Sequence, residues 1–154
     1  MKIIRSLGAI ALASLVVVTT ASAEERGYSA ALCSSNTTNT FFEDFGINVV
    51  NLSPATVFCG AAPIVGADVN RIQAAVYDRN STGDVCCTML VLGADGMPIS
   101  SASRCSTGSS SSVQTLSVVP PVNAAGSVLL SCNVPPATPS GFSRVSVYRV
   151  RSSP

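Results

Sequence analysis

Six cysteines and no histidine bound the chemistry open to this chain. Without histidine there is no Ser-His-Asp or Cys-His nucleophile pair, and the commonest transition-metal ligand is missing. Cys33, Cys59, Cys86, Cys87, Cys105 and Cys132 lack the paired C-x-x-C spacing of a four-cysteine metal site. An even count in an exported chain instead reads as a disulfide framework. Asp95-Gly96, between two β-prone runs, is a two-residue hairpin signal. It sets Ala94 opposite Met97, and counting outward brings Cys86 directly opposite Cys105. Cross-strand Cβ atoms at such a pair lie about 5 Å apart, so a bridge needs little adjustment. Closing that loop of about 20 residues contributes about 3 kcal/mol in the chain-entropy model. A slip of one residue would offer Cys87 instead. The other four cysteines allow three pairings. We expect Cys59–Cys132 as an inter-strand staple and Cys33–Cys87 as a clasp on the N-terminal segment. A vicinal Cys86–Cys87 bond is the alternative, and it would strain the backbone.

Oxygen ligands offer less. Asp78-x-Asn80-x-Thr82-Gly83-Asp84 has the alternating oxygens and turn glycine that begin a calcium loop. The twelfth position, where such a loop needs a bidentate Glu, is Met89. A polar β-turn in which Asp and Asn bond their own backbone explains the same residues, so we expect no metal and no cofactor. Glu43 and Asp44 are adjacent, and neighbours on a strand point to opposite faces, so they do not form a carboxylate pair. Phe41, Phe42 and Phe45 flank them, as an exposed docking patch or, as we favour, as rings entering the core. Sequons occur at Asn36, Asn51 and Asn80 and carry meaning only in a eukaryotic host. Arg144, Arg149 and Arg151 form a mild basic patch, which a solvated strand edge explains without a ligand.

The elements that hold these residues are short. Lys2 and Arg5, an apolar run from Leu7 to Ala21 and the tripeptide Ala21-Ser22-Ala23 predict a secretory signal peptide over 1–23. The run falls short of the roughly 20 apolar residues that span a bilayer, and no second one follows, so no membrane insertion is expected after cleavage. Lys2 and Arg5 leave with the signal, so nine basic residues become seven arginines against eight acids, net −1. That balance gives no electrostatic case for nucleic acid. Residues 24–154 are expected to form one domain that buries about two thirds of its unfolded surface.

Within it, β-prone runs at Phe45–Leu52, Ala55–Cys59, Asp84–Leu92, Met97–Cys105, Val113–Val119, Ser127–Val134 and Phe142–Val150 are separated by Gly, Pro, Asn and Asp. Val69–Tyr77 reads either as a helix capped by Asp68 or as a strand alternating at Ile72, Ala74 and Val76. Its flanking strands favour the second. We therefore expect an all-β, disulfide-stapled antiparallel β-sandwich of about eight strands.

Val57-Phe58-Cys59, Val76-Tyr77-Asp78-Arg79-Asn80, Asp84-Val85-Cys86, Ser131-Cys132-Asn133-Val134-Pro135-Pro136 and Val145-Ser146-Val147-Tyr148 resemble a group of small secreted bacterial proteins of β-sandwich-like appearance. The resemblance covers 57–150. It implies export, an all-β fold and bridged cysteines, and it brings no activity or site residues with it. Cys33 and Cys87 stand outside its pattern, which leaves their pairing the most open.

These readings together predict a non-enzymatic binding or structural module of the cell envelope or extracellular space, its partner an unidentified surface ligand or protein. A secreted effector or inhibitor acting on another protein is the first alternative. A small hydrolase is the second, and it needs carboxylates such as Asp68, Asp78 and Asp95 to converge in one cleft.

Overall fold

The computed structural model describes residues 23–37, 40–43, 46–49, 53–61, 68–93, 95–119 and 127–153. The expected export signal lies outside them up to Ser22, as do Asp44, Phe45, Asn51 and the side chains of Phe41 and Phe42. Among the described residues no helix is long and apolar enough to cross a membrane.

In chain order the strands are β1 (Glu24–Ser29), β2 (Ser34–Ser35), β3 (Thr40–Glu43), β4 (Gly46–Val49), β5 (Ala55–Ala61), β6 (Asp68–Tyr77), β7 (Cys86–Leu92), β8 (Pro98–Cys105), β9 (Gln114–Val118), β10 (Ser127–Val134) and β11 (Arg144–Ser153). A single 3₁₀ turn, Ala30–Leu32, follows β1. The first sheet runs β3-β4-β11-β6-β9, with β1 also paired to β11; the second runs β2-β5-β10-β7-β8. Every pairing is antiparallel. The protein is an all-β antiparallel sandwich.

Period-two alternation builds the core. On β6, Ile72, Ala74 and Val76 are buried while Arg71, Gln73, Ala75 and Tyr77 stay half-exposed, so the ambiguous segment is a strand. Met89, Val91, Val128 and Leu130 meet them from the second sheet. Tyr148 of β11 is fully buried, and its hydroxyl crosses the sandwich to donate to the Gly60 carbonyl at 2.6 Å. Tyr28 lies opposite Tyr148 on β1 and stacks on it with ring centroids 5.1 Å apart.

The strands exceed the expected number because the N-terminal segment contributes three that carry no apolar alternation of their own. β1 reads Glu-Glu-Arg-Gly-Tyr-Ser and exists as a strand by docking on β11.

The β7–β8 register places Cys86 opposite Cys105, and the two are bonded. The turn differs from the expected two-residue hairpin. Gly93 N–H donates to the Met97 carbonyl at 2.8 Å, and Gly96 sits at φ 77° in the left-handed region. A bulge between Val91 and Leu92 absorbs the difference, so the ladder beyond it keeps the counted register.

The other two bonds correct our expectation. Cys33 joins Cys59 and Cys87 joins Cys132, in place of Cys59–Cys132 and Cys33–Cys87. Strand order is the reason. β10 lies between β5 and β7, so Cys132 has Cys87 opposite it on one side and Val57 on the other, while Cys59 faces Leu130. The β2–β5 ladder pairs Ser34 with Phe58, and one step further along it sets Cys33 beside Cys59.

Candidate functional site

Two polar regions differ in what they leave open. The first begins where β6 ends. Asp78 is fully buried, and four donors converge on its carboxylate. Its Oδ1 accepts from the Asn80 backbone at 3.0 Å and the Ser143 hydroxyl at 3.2 Å. Its Oδ2 accepts from the Ser106 hydroxyl and from the Val85 backbone at 3.3 Å. Asn80 turns its Oδ1 onto the Thr82 and Gly83 backbones and donates from Nδ2 to the Pro136 carbonyl. The Asp84 carboxylate accepts from the Gly108 backbone at 3.2 Å. These bonds tie the end of β6 and the start of β11 in the first sheet to segments next to β7, β8 and β10 in the second. A buried carboxylate is tolerated only with such donors around it.

Asp78 and Asn80 of the calcium-like motif thus bond backbone and hydroxyl groups of their own turn and of segments flanking the second sheet. Among the described residues no cluster of three or more His, Cys, Asp or Glu could hold a metal ion. The carboxylates a hydrolase would need do not share a cleft. Asp78 is sealed inside, and Asp68 begins β6 at the opposite end, about 30 Å away by strand length. Asp95 lies in the β7–β8 turn of the other sheet, accepting from the Met97 backbone. The sequon residue Asn80 is buried in the same hub, whereas Asn36 lies exposed and accepts from the Thr56 backbone.

The second region is the outer face of the first sheet. Here an open groove of about 300 Å³ is lined by Gln73 and Ala75 of β6, Thr115 of β9, the preceding Val113, and Val147 and Arg149 of β11. Register explains it. Val147, Ala75 and Thr115 form one cross-sheet row and supply short side chains. Arg149, Gln73 and Ser117 form the next, and Arg151 with Arg71 the one after. At the hub end, Arg144 pairs with Tyr77 and its guanidinium lies 4.1 Å over the ring. Arg149 reaches a carboxylate oxygen of Glu25 at 3.5 Å, an exposed contact of small energetic weight.

This placement overturns the strand-edge explanation for Arg144, Arg149 and Arg151. β11 is an interior strand with neighbours on both sides. Its arginines stand in the middle of a sheet, joined by Arg71, which sequence reasoning did not single out. Arg71 lies about 80 residues from Arg151 in the chain, and only the β6–β11 pairing brings them together.

Burial pushes the Tyr148 hydroxyl above the ordinary tyrosine range, with a further contribution from Tyr28. That ring serves the core and is not available to stack on a ligand.

No family model matches the chain, and no curated protein matches it either. Solved structures do. A family 6 carbohydrate-binding module from Clostridium stercorarium, in complex with cellobiose, matches with TM-score 0.52 at 15% identity, covering 80% of this chain and 90% of that one. The C-terminal family 6 module of a marine laminarinase from Zobellia galactanivorans gives 0.53 at 13% identity, covering 82% and 98%. A family two carbohydrate esterase from Cellvibrio japonicus gives 0.51 at 9% identity; this chain covers only 36% of it. At these identities the likeness is one of fold: the β-sandwich of carbohydrate-binding modules.

Proposed function

We propose that residues 1–23 direct export and that residues 24–154 form one non-catalytic module that binds a polysaccharide on the outer face of the first sheet. The observation that carries this reading is the groove itself. Its floor of Ala75 and Val147 is small and apolar, and its walls of Gln73, Thr115 and Arg149 present an amide, a hydroxyl and a guanidinium. Sparse, directed polar groups around an apolar floor suit a ligand rich in hydroxyls and C–H faces. The shared sandwich fold is compatible with that role, since one of the similar modules was solved with cellobiose. Fold alone does not assign it. The three disulfides fit an oxidising compartment.

Affinity electrophoresis through gels containing soluble polysaccharides tests the reading. Saturable retardation by at least one polysaccharide, abolished by filling the groove with Ala75→Phe, is the expected result. Ala75 is half-exposed on the outer face, so the larger ring leaves the core packing alone. Retardation by none of them, or retardation that survives Ala75→Phe, would sink the proposal.

A further inference from the structure

We propose that the ligand of this face is an acidic polysaccharide whose sugars carry carboxylates, held by Arg71, Arg149 and Arg151 beside the groove; the inference rests on the groove being a polysaccharide site. Arg71 and Arg151 are direct register partners on neighbouring strands and project from the same face. Their Cβ atoms are about 5 Å apart, where like charges destabilise a sheet. Arg149, two residues from Arg151, adds a third guanidinium on that face. Arg151 also faces Glu25 across the β1–β11 ladder, so one carboxylate offsets part of the repulsion, and an anion laid across the three guanidinium groups removes the rest.

Charge on this face is lopsided. Of the eight arginines in the whole sequence, Arg71, Arg144, Arg149 and Arg151 share it. Glu25 and Asp68 are its carboxylates among the described side chains. Among the described residues only Arg26 and Arg149 enter ion pairs, which leaves Arg71 and Arg151 available. The strands of the second sheet carry no charged side chain on their outer face among the described residues. The guanidinium fork matches a carboxylate through two parallel hydrogen bonds. Gln73, Thr115 and Ser117, in adjoining rows, supply partners for ring hydroxyls. An acidic peptide is less suited, because peptides add to open strand edges through main-chain bonds. β11 and β6 are both interior and have their main-chain groups paired.

The exported, oxidised protein is titrated with polygalacturonate, with the same polymer fully methyl-esterified, and with poly-L-glutamate. Saturable binding to polygalacturonate is expected, weakened about tenfold or more by esterification and by either Arg71→Gln or Arg151→Gln. Arg104→Gln, on the edge strand β8 of the second sheet, is expected to bind as the parent does. Equal binding of the esterified polymer, indifferent to Arg71→Gln, would overturn the acidic ligand and leave the groove reading standing. Tighter binding of poly-L-glutamate would overturn the sugar assignment. If neither form of the polymer nor any neutral polysaccharide binds, both readings fall together.

Discussion

The two sheets of this sandwich are secured in different ways. All three disulfides belong to the second sheet: Cys33–Cys59 beside the β2–β5 ladder, Cys87–Cys132 between β10 and β7, and Cys86–Cys105 between β7 and β8. Two of them point into the core, where Cys59, Cys87 and Cys132 are fully buried. The first sheet has no covalent staple among the described residues. It relies on ladder hydrogen bonds, the Tyr28–Tyr148 stack and the Asp78 hub. Its outer face carries four arginines, a groove and the Arg71–Arg151 like-charge pair, while the strands of the second sheet carry no charged side chain on their outer face among the described residues. The disulfides and the proposed binding chemistry thus fall on different sheets of one core.

If that sorting is real, removing a core staple should have the largest effect. Cys87→Ser with Cys132→Ser opens a loop with a sequence separation of 45, worth about 4 kcal/mol in the chain-entropy model. Urea titration should show that loss, and opening Cys86–Cys105, with a separation of 19, should cost about 3 kcal/mol. Equal stability of oxidised and cysteine-free protein would break the contrast outright. Intact-mass measurement before and after reduction comes first, because all six cysteines are paired.

The hub is the next largest. Asp78→Ala strands two backbone N–H groups and two hydroxyls, and we expect a loss of about 3 kcal/mol. EDTA should leave the parent's melting temperature unchanged, since its carboxylate is satisfied by protein donors. A melting temperature that falls in EDTA would return the 78–84 loop to calcium.

Tyr148 links the sheets with a smaller effect and a definite sign. Its folded-state pKa is raised, so between the unfolded value near 10 and the folded value the unfolded chain has already released its proton. Stability from this group is full below that window and falls as pH rises through it. Tyr148→Phe should cost about 1 kcal/mol at neutral pH through the lost bond to Gly60 and should flatten the alkaline decline. An unchanged alkaline slope in the variant would show that other groups govern it.

How far the sequence could be read follows from what each signal encodes. Periodicity within a segment is local, so the strand character of Ile72–Val76 and the fold class were legible. A hairpin ties neighbours together by counting, which placed Cys86 against Cys105 even though the turn itself took another form. No local pattern says which distant strands are neighbours. Cys33–Cys59 and Cys87–Cys132 obey the same facing-residue rule as Cys86–Cys105, but applying it requires knowing that β10 lies between β5 and β7. The same gap made three arginines of an interior strand look like edge residues and hid Arg71 altogether. β1 was missed for a different reason: its strand character is conferred by β11.

The smallest effect is the most discriminating, because it has the opposite sign to the rest. Arg71→Thr removes one half of the like-charge pair and places a β-branched residue on a strand face. Stability should rise by a few tenths of a kcal/mol at low salt, and the gain should shrink as salt screens the repulsion. Ligand binding should fall in the same variant. A side chain kept for the fold would show both quantities falling together. A side chain kept for a ligand separates them, and urea titration at two salt concentrations beside a binding isotherm measures that separation directly.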